Sequence, residues 1–224
     1  MNSDRLSEIE NNLRAPALNV RKNALDELAE IPADIAVPIL QKLAREENFA
    51  LRRLAVMGLG NHRSEASFQA LQQTIAEEED GNVIAEAANS IFDFGEPAIP
   101  ILQQLFEISD NWLVRQTVIS LLVETDRFDV LLALAIAALK DETQTVREAG
   151  ILALKKVLSS PLKGEALSVL TIMAQDSYWR NRWRAAIALH GTQDSQAKQL
   201  LSQLQRDEHW RVVAAALEGT LAEK

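Results

Sequence analysis

The chain has 224 residues, 47% hydrophobic, 25% charged and only 5% aromatic, with no cysteine and a formal net charge of −9. Without cysteine there are no disulfides, thiolate metal sites, cysteine nucleophiles or thioether-linked cofactors. The acidic surplus repels a phosphate backbone, so nucleic acid is not an expected partner.

The opening residues carry Asp4, Glu8 and Glu10 and lack the apolar core of a signal peptide. The longest apolar run, Val130 to Leu139, is ten residues, against the ~20 that a bilayer-spanning helix needs. No membrane insertion and a cytoplasmic location are therefore expected. Abundant Ala and Leu favour helix, because they lose little conformational freedom there.

In chain order the apolar periodicity predicts seven helix pairs. They cover residues 4–14 with 19–30, 34–45 with 49–60, 64–78 with 82–94, 97–107 with 112–124, 128–140 with 144–158, 164–175 with 180–190, and 194–205 with 208–222. Pro38-Ile39-Leu40-Gln41-Lys42-Leu43 returns as Pro100-Ile101-Leu102-Gln103-Gln104-Leu105, with Ala70-Leu71-Gln72-Gln73 halfway between, so Leu40, Leu71 and Leu102 are 31 residues apart. A second series marks the other helix of each pair. An apolar residue and an Arg stand at Val20-Arg21, Leu51-Arg52, Val114-Arg115 and Val146-Arg147; Val83-Ile84 lacks the Arg, and Asn181-Arg182 and Trp210-Arg211 continue more loosely. Steps between these positions run 31, 32, 31, 32, 35 and 29. Small or aliphatic residues follow three, four and seven positions later, the spacing that buries one stripe of a helix.

Turn chemistry supports these boundaries. Asp110, Asp141, Asp176 and Asp207 precede second helices, where a carboxylate can cap free backbone N–H groups. Gly60 and Gly95 fall where second helices should close in a left-handed turn. Pro32 and Pro97 suit helix entries, whereas Pro38 and Pro100 sit a turn further in and predict a kink or a late start. Such pairs cannot bury their own apolar stripes and must stack. The expected architecture is an all-α, right-handed α-solenoid of about seven helix pairs in one domain over residues 1–224, with a bend at residues 159–164.

The apolar-Arg step with a preceding Asp resembles HEAT-like repeats, and its short period is similar to the subtype named after phycobilisome bilin lyases. That resemblance implies a scaffold, or else a bilin-handling protein: a lyase subunit, chromophore chaperone or phycobilisome-degradation factor, with a phycobiliprotein or bilin as partner. Deoxyhypusine hydroxylase shares the repeat type, but its His-Glu dipeptides are absent here. His62, His190 and His209 precede Arg63, Gly191 and Trp210.

No metal site is expected, because the three histidines are far apart. His62 and His190 should sit near helix C-termini, where an imidazolium complements the dipole. No phosphate-cradling Gly loop or nucleophile-base motif is present, so no catalytic residue and no cofactor is assigned; a bilin lyase-type activity is the one enzymatic alternative. Glu77-Glu78-Glu79-Asp80 reads as a solvated turn. Arg52, Arg115, Arg147 and Arg182, with Asp110, Asp141 and Asp176, are read as a structural ladder in which an Arg of one unit pairs with the Asp ahead of a neighbouring second helix.

The candidate partner-binding residues are aromatic and cationic. Phe49, Trp112 and Trp179 each stand three residues before their unit's Arg. Tyr178, Trp179, Arg180, Trp183 and Arg184 form the densest such cluster, and Trp210-Arg211 recurs one unit later. Trp, Tyr and Arg carry much of the binding energy at interfaces; the alternative is that Trp179 and Trp183 cap the core. Single-strand nucleic acid could stack on such a cluster, but the net charge opposes it. Residues 1–158 carry −10 and residues 159–224 carry +1, which places the cluster in the less acidic part. The expected function is a non-catalytic protein–protein interaction scaffold or adaptor using its concave helical face and this cluster.

Overall fold

A computed structural model describes residues 3–221, which form fourteen α-helices and no strand. They are α1 (Ser3–Leu13), α2 (Leu18–Ala29), α3 (Ala33–Leu43), α4 (Phe49–Asn61), α5 (Glu65–Glu77), α6 (Gly81–Phe92), α7 (Ile99–Ile108), α8 (Trp112–Val123), α9 (Phe128–Ala138), α10 (Gln144–Val157), α11 (Lys163–Met173), α12 (Trp179–Ala188), α13 (Ser195–Leu204) and α14 (Trp210–Leu221). The fold is an all-α repeat solenoid of helix pairs. The chain divides into two compact units, Met1–Thr117 and Val118–Lys224, with the division inside α8.

In the first unit, α4 packs on α2, α3, α5 and α6. Its core contains Leu25, Leu28, Leu40, Leu43, Leu59, Leu71 and Ile91, all fully or nearly fully buried; burying each such side chain stabilises by ~1.5–3 kcal/mol. In the second unit, α10 packs on α9, α11 and α12, and α12 packs in turn on α14. Its core contains Leu131, Ile151, Leu154, Leu170, Leu189 and Leu201. In both units, successive second helices lie side by side: α2, α4 and α6 in the first, α10, α12 and α14 in the second.

Several helix entries are capped by short polar side chains. Asn48 Oδ1 accepts from Ala50 N at 2.9 Å, Asp80 Oδ1 from Asn82 N at 2.8 Å, and Asp194 Oδ1 from Gln196 N at 2.9 Å. Gly95 takes φ +75° after α6 and leads through a 3-10 turn, Glu96–Ala98, so α7 starts late as its Pro100 requires. Pro38 lies within α3, which runs on through it.

Gly60 corrects the expectation of a closing turn. It is inside α4, and a Cβ there would lie 3.0 Å from Ser90 Cβ and Oγ of α6. Its role is close helix approach. The left-handed turn expected of it is found instead at Gly191, φ +79°, after α12. Residues 159–162 form the turn between α10 and α11.

Candidate functional site

The repeated Arg turns out to be a clamp on the turn of its own helix pair. Arg52 Nη1 donates to the carbonyls of Glu46 at 3.1 Å and Glu47 at 2.8 Å. Arg115 Nη1 donates to Ser109 O at 2.7 Å. Arg147 Nη1 donates to the carbonyls of Asp141 and of Glu142, the latter at 3.0 Å, and Arg182 Nη1 to Asp176 O at 2.9 Å and Ser177 O at 3.0 Å. Arg52, Arg147 and Arg182 thus reach the carbonyls five and six residues behind them, and Arg115 the one six behind, in the loop past the first helix. Those carbonyls belong to the turn between the helices and have no helical partner, so the guanidinium supplies their hydrogen bonds and fixes the turn.

In Arg52 and Arg182 the other guanidinium edge reaches forward to an acid in the next turn. Arg52 grips Glu78 through Nε at 2.7 Å and Nη2 at 3.1 Å. Arg182 grips Asp207 through Nε at 2.7 Å and Nη2 at 2.9 Å. Burial pushes the carboxyls of Glu78 and Asp207 up, but the hydrogen bonds from Arg and from turn N–H groups outweigh it, and both lie below the usual carboxylate range. Glu78 is therefore no part of a solvated turn, and Asp80 beside it is the α6 cap. Arg147 differs again, binding Gln144 Oε1 through Nε and Nη2 at 3.0 and 2.6 Å.

These contacts also fix the repeat register. Asp141, Asp176 and Asp207 accept through Oδ1 from the N–H two residues on, of Thr143, Tyr178 and His209, at 2.7, 2.7 and 2.8 Å. In the fourth pair that place belongs to Ser109, whose Oγ accepts from Asn111 N at 3.3 Å, and Asn111 Oδ1 caps α8. Asp110 is exposed and one residue out of register, which corrects its assignment as a cap. Trp179 and Trp210 both open their helices. Arg211 consequently corresponds to Arg180, and Val213 stands where Arg182 stands; the final step is 31 residues, as in the early pairs.

The second unit gathers its polar and aromatic groups along the first turns of α10, α12 and α14. At the centre is Glu148 of α10, whose side chain is 6% exposed. Arg180 Nε donates to its Oε1 at 2.5 Å, and Arg184 Nε donates to its Oε2 at 2.8 Å, with Arg184 Nη2 ion-paired to the same oxygen at 2.7 Å. Gln144 Nε2 bridges Glu148 Oε1 at 3.1 Å and Asn181 Oδ1 at 2.9 Å. Burial raises the Glu148 carboxyl; the hydrogen bonds from Arg180, Arg184 and Gln144 more than offset this and hold it below the ordinary range. The acid is charged, and it fixes two arginines one helical turn apart.

Over this base lie the rings. Arg184 stacks on Trp183 at 4.1 Å, and Arg180 lies 5.9 Å from the Trp179 ring. The His209 imidazole stacks on Trp179 with centroids 3.8 Å apart and planes 4° from parallel, and Trp210 follows at 6.3 Å. Arg211 is exposed and lies 5.5 Å from the Trp179 ring and 5.2 Å from the Trp210 ring. Tyr178 and Trp210 are exposed, Trp210 to 70%. The structure thus brings together Tyr178, Trp179, Arg180, Trp183, Arg184, Trp210 and Arg211. Trp112 opens α8 and Phe49 opens α4 in the first unit, 47% and 48% exposed.

Sequence reasoning missed Glu148, Gln144, Asn181 and His209. A signal existed: Arg180 and Arg184 face the same side of a helix, and Glu148 precedes the point between them by one long repeat step. Of the histidines, His62 is buried, and that burial pushes its pKa down although Leu28 O accepts a hydrogen bond from it. It is a neutral core side chain, against the expectation of an imidazolium. His190 Nε2 lies 2.7 Å from Ala215 O. Among the described residues no group of His, Cys, Asp and Glu could hold a metal ion, and no helix is long and apolar enough to cross a membrane. A hollow of about 710 Å³ is lined by Lys155, Lys163, His190 and Asp194 among others, and its Lys163 is paired with Asp194 at 2.7 Å.

The sequence matches the family of HEAT repeats over residues 6–92, 75–155 and 132–222, and no curated protein matches it. Among solved structures, YibA of E. coli is similar at 18% identity and a TM-score of 0.66, over 96% of this chain and 80% of that one. Kap121p bound to Nup53p is similar at 14% identity and a TM-score of 0.54, over 96% of this chain and 29% of that one. A chain from the complex of CpcE and CpcF of phycocyanin lyase from Nostoc sp. PCC7120 is similar at 19% identity, over 96% of this chain and 86% of that one, with a TM-score of 0.49 that is too low to bear on function. At these identities the likeness is one of fold.

Proposed function

This chain belongs to the HEAT-repeat family, and we propose that it is a non-catalytic protein-interaction module whose binding edge is built from the first turns of α12 and α14. The supporting observation is the exposed aromatic and cationic surface held in place by buried Glu148. Burying a carboxylate is costly unless it is fully paired, and here the pairing locks Arg180 and Arg184 against Trp179 and Trp183. Preorganised rings and guanidinium groups lose little entropy on binding, and Trp, Tyr and Arg are the side chains that most often dominate interface energies. A solenoid supplies extended surface for a macromolecular partner. Trp112 offers a further exposed indole in the first unit.

The test is affinity capture from native extract with wild-type chain and with a Tyr178→Ala/Trp183→Ala variant, each checked for an unchanged circular dichroism spectrum. The expected result is a specific protein retained by the wild type and lost by the variant. Recovery of the same protein by both would overturn this reading, as would recovery of none.

A further inference from the structure

Four arginines share the edge of α12 and α14, and three of them are forked or bonded onto a carboxylate. Arg180 and Arg184 hold Glu148, and Arg182 holds Asp207. Arg184 shows the motif in full, with a guanidinium face on an indole at 4.1 Å and its Nε and Nη2 on one carboxylate. Arg211 has the first half of it. Its guanidinium lies over the Trp179 and Trp210 rings, 5.5 and 5.2 Å from their centroids, and it is exposed. Among the described residues it has no carboxylate partner; the acids nearest in sequence, Asp207 and Glu208, are engaged by Arg182 at 2.7 and 3.2 Å.

Register explains the gap. Arg211 occupies the place of Arg180, which reaches back to Glu148 on the preceding second helix. The residue at the place of Glu148 on α12 is Trp183, so the internal acid is missing there. Cation–π attraction to the two indoles restrains the guanidinium, while its N–H edges stay open for a bidentate acceptor.

We propose that Arg211 is the recognition site for a carboxylate side chain of the partner, an acidic residue flanked by apolar ones that pack on Trp210. This rests on the reading of the edge as a protein-binding surface and names the chemistry it selects. A carboxylate is favoured over a phosphate because the three filled arginines of the cluster all hold carboxylates.

The experiment is an NMR titration of the ¹⁵N-labelled full chain with the peptide acetyl-Leu-Glu-Leu-amide, its Gln counterpart and a dT8 oligonucleotide. The Glu peptide should shift the Arg211 Nε–H and Trp210 indole N–H signals saturably. The Gln peptide should bind about tenfold more weakly, as should the Glu peptide with an Arg211→Lys chain. Equal shifts with Glu and Gln peptides, or undiminished shifts in Arg211→Gln, overturn the proposal; shifts with dT8 alone overturn it in favour of phosphate. Loss of Glu–Gln discrimination while Tyr178→Ala/Trp183→Ala still abolishes capture would refute the carboxylate site and leave the interaction edge standing.

Discussion

The two compact units follow one repeat plan but join their successive second helices differently. In the first unit α4 meets α6 through small residues, Gly60 against Ser90, with Arg53–Glu86 at 2.9 Å as an ion pair whose Arg is largely exposed. In the second unit α10 meets α12 through a buried acid, two arginines and two amides. There the close backbone approach has moved to the pair α9–α10, where a Cβ on Gly150 would lie 2.8 Å from Ala135 O. Charge divides the same way: residues 1–117 hold 10 basic and 19 acidic side chains, and residues 118–224 hold 13 of each, so the whole net charge lies in the first. A helix contact made by small residues uses its side chains up in packing. One made by a polar network leaves indoles and guanidinium groups oriented at the surface, and it is there that the candidate site is found.

The sharpest way to break the contrast is Glu148→Ala. It removes the shared acceptor of Arg180, Arg184 and Gln144; the arginines are 39% and 24% exposed and regain hydration, so the loss should be about 1–3 kcal/mol, below that of a fully buried pair. Urea denaturation should show that loss, with most of it assigned to the second unit by hydrogen exchange. A loss under about 1 kcal/mol would mean the network is dispensable. The counterpart in the first unit is Gly60→Val, which forces a branched side chain onto Ser90 and should destabilise by about 1–3 kcal/mol, as overpacking does. Adding Ser90→Gly to it should recover part of that loss if the α4–α6 contact is one of close packing.

Acid has a smaller effect with two phases, of which the upper belongs to the first unit alone. His62 titrates below its ordinary value in the folded chain because it is buried. The unfolded chain therefore takes up the proton first, and stability falls as pH drops through about 6.5 toward the lower folded value. Glu148, Asp207 and Glu78 are also held low, despite burial, by their hydrogen bonds. Their contribution is complete above about pH 4.3 and is lost as pH falls through the folded values. Urea midpoints measured from pH 8 to pH 3 should show both phases. His62→Gln should erase the upper one alone; if it erases neither or both, the assignment fails.

The helices were legible because burying one stripe requires a 3.6-residue period, and every predicted element has its observed counterpart with ends differing by two residues at most. The clamp arginines stood out for the same reason, since a backbone turn repeated in register needs the same cation. Side-chain partners across the repeat were harder to see. Nothing local marks Glu148 as buried, because its pairing depends on how α10 and α12 are rotated toward each other. Trp210-Arg211 was misplaced by two residues for a related reason: the dipeptide imitates the apolar-Arg step, while the true equivalent of Arg182 is Val213. Charge deceived at His62 and Glu78, where residues that solvate well alone are enclosed by a neighbouring pair.

That register supplies the smallest and most discriminating prediction. The Arg clamp acts within one helix pair through the carbonyls five and six residues behind it, so it should be transferable. The last pair lacks it, since Val213 stands at the place of Arg182. In Val213→Arg the new guanidinium should reach the carbonyls of Asp207 and Glu208 and stabilise α14 by about 0.5–1 kcal/mol, the net worth of a partly exposed hydrogen bond. Val213→Lys, with a point charge and no fork, should gain less. The readout is slower hydrogen exchange in α14 with unchanged exchange in α10. No gain from Arg, or an equal gain from Lys, would show that the clamp needs the forward acid as well, as Arg182 has in Asp207, and that the repeat is stabilised between pairs and not within each turn.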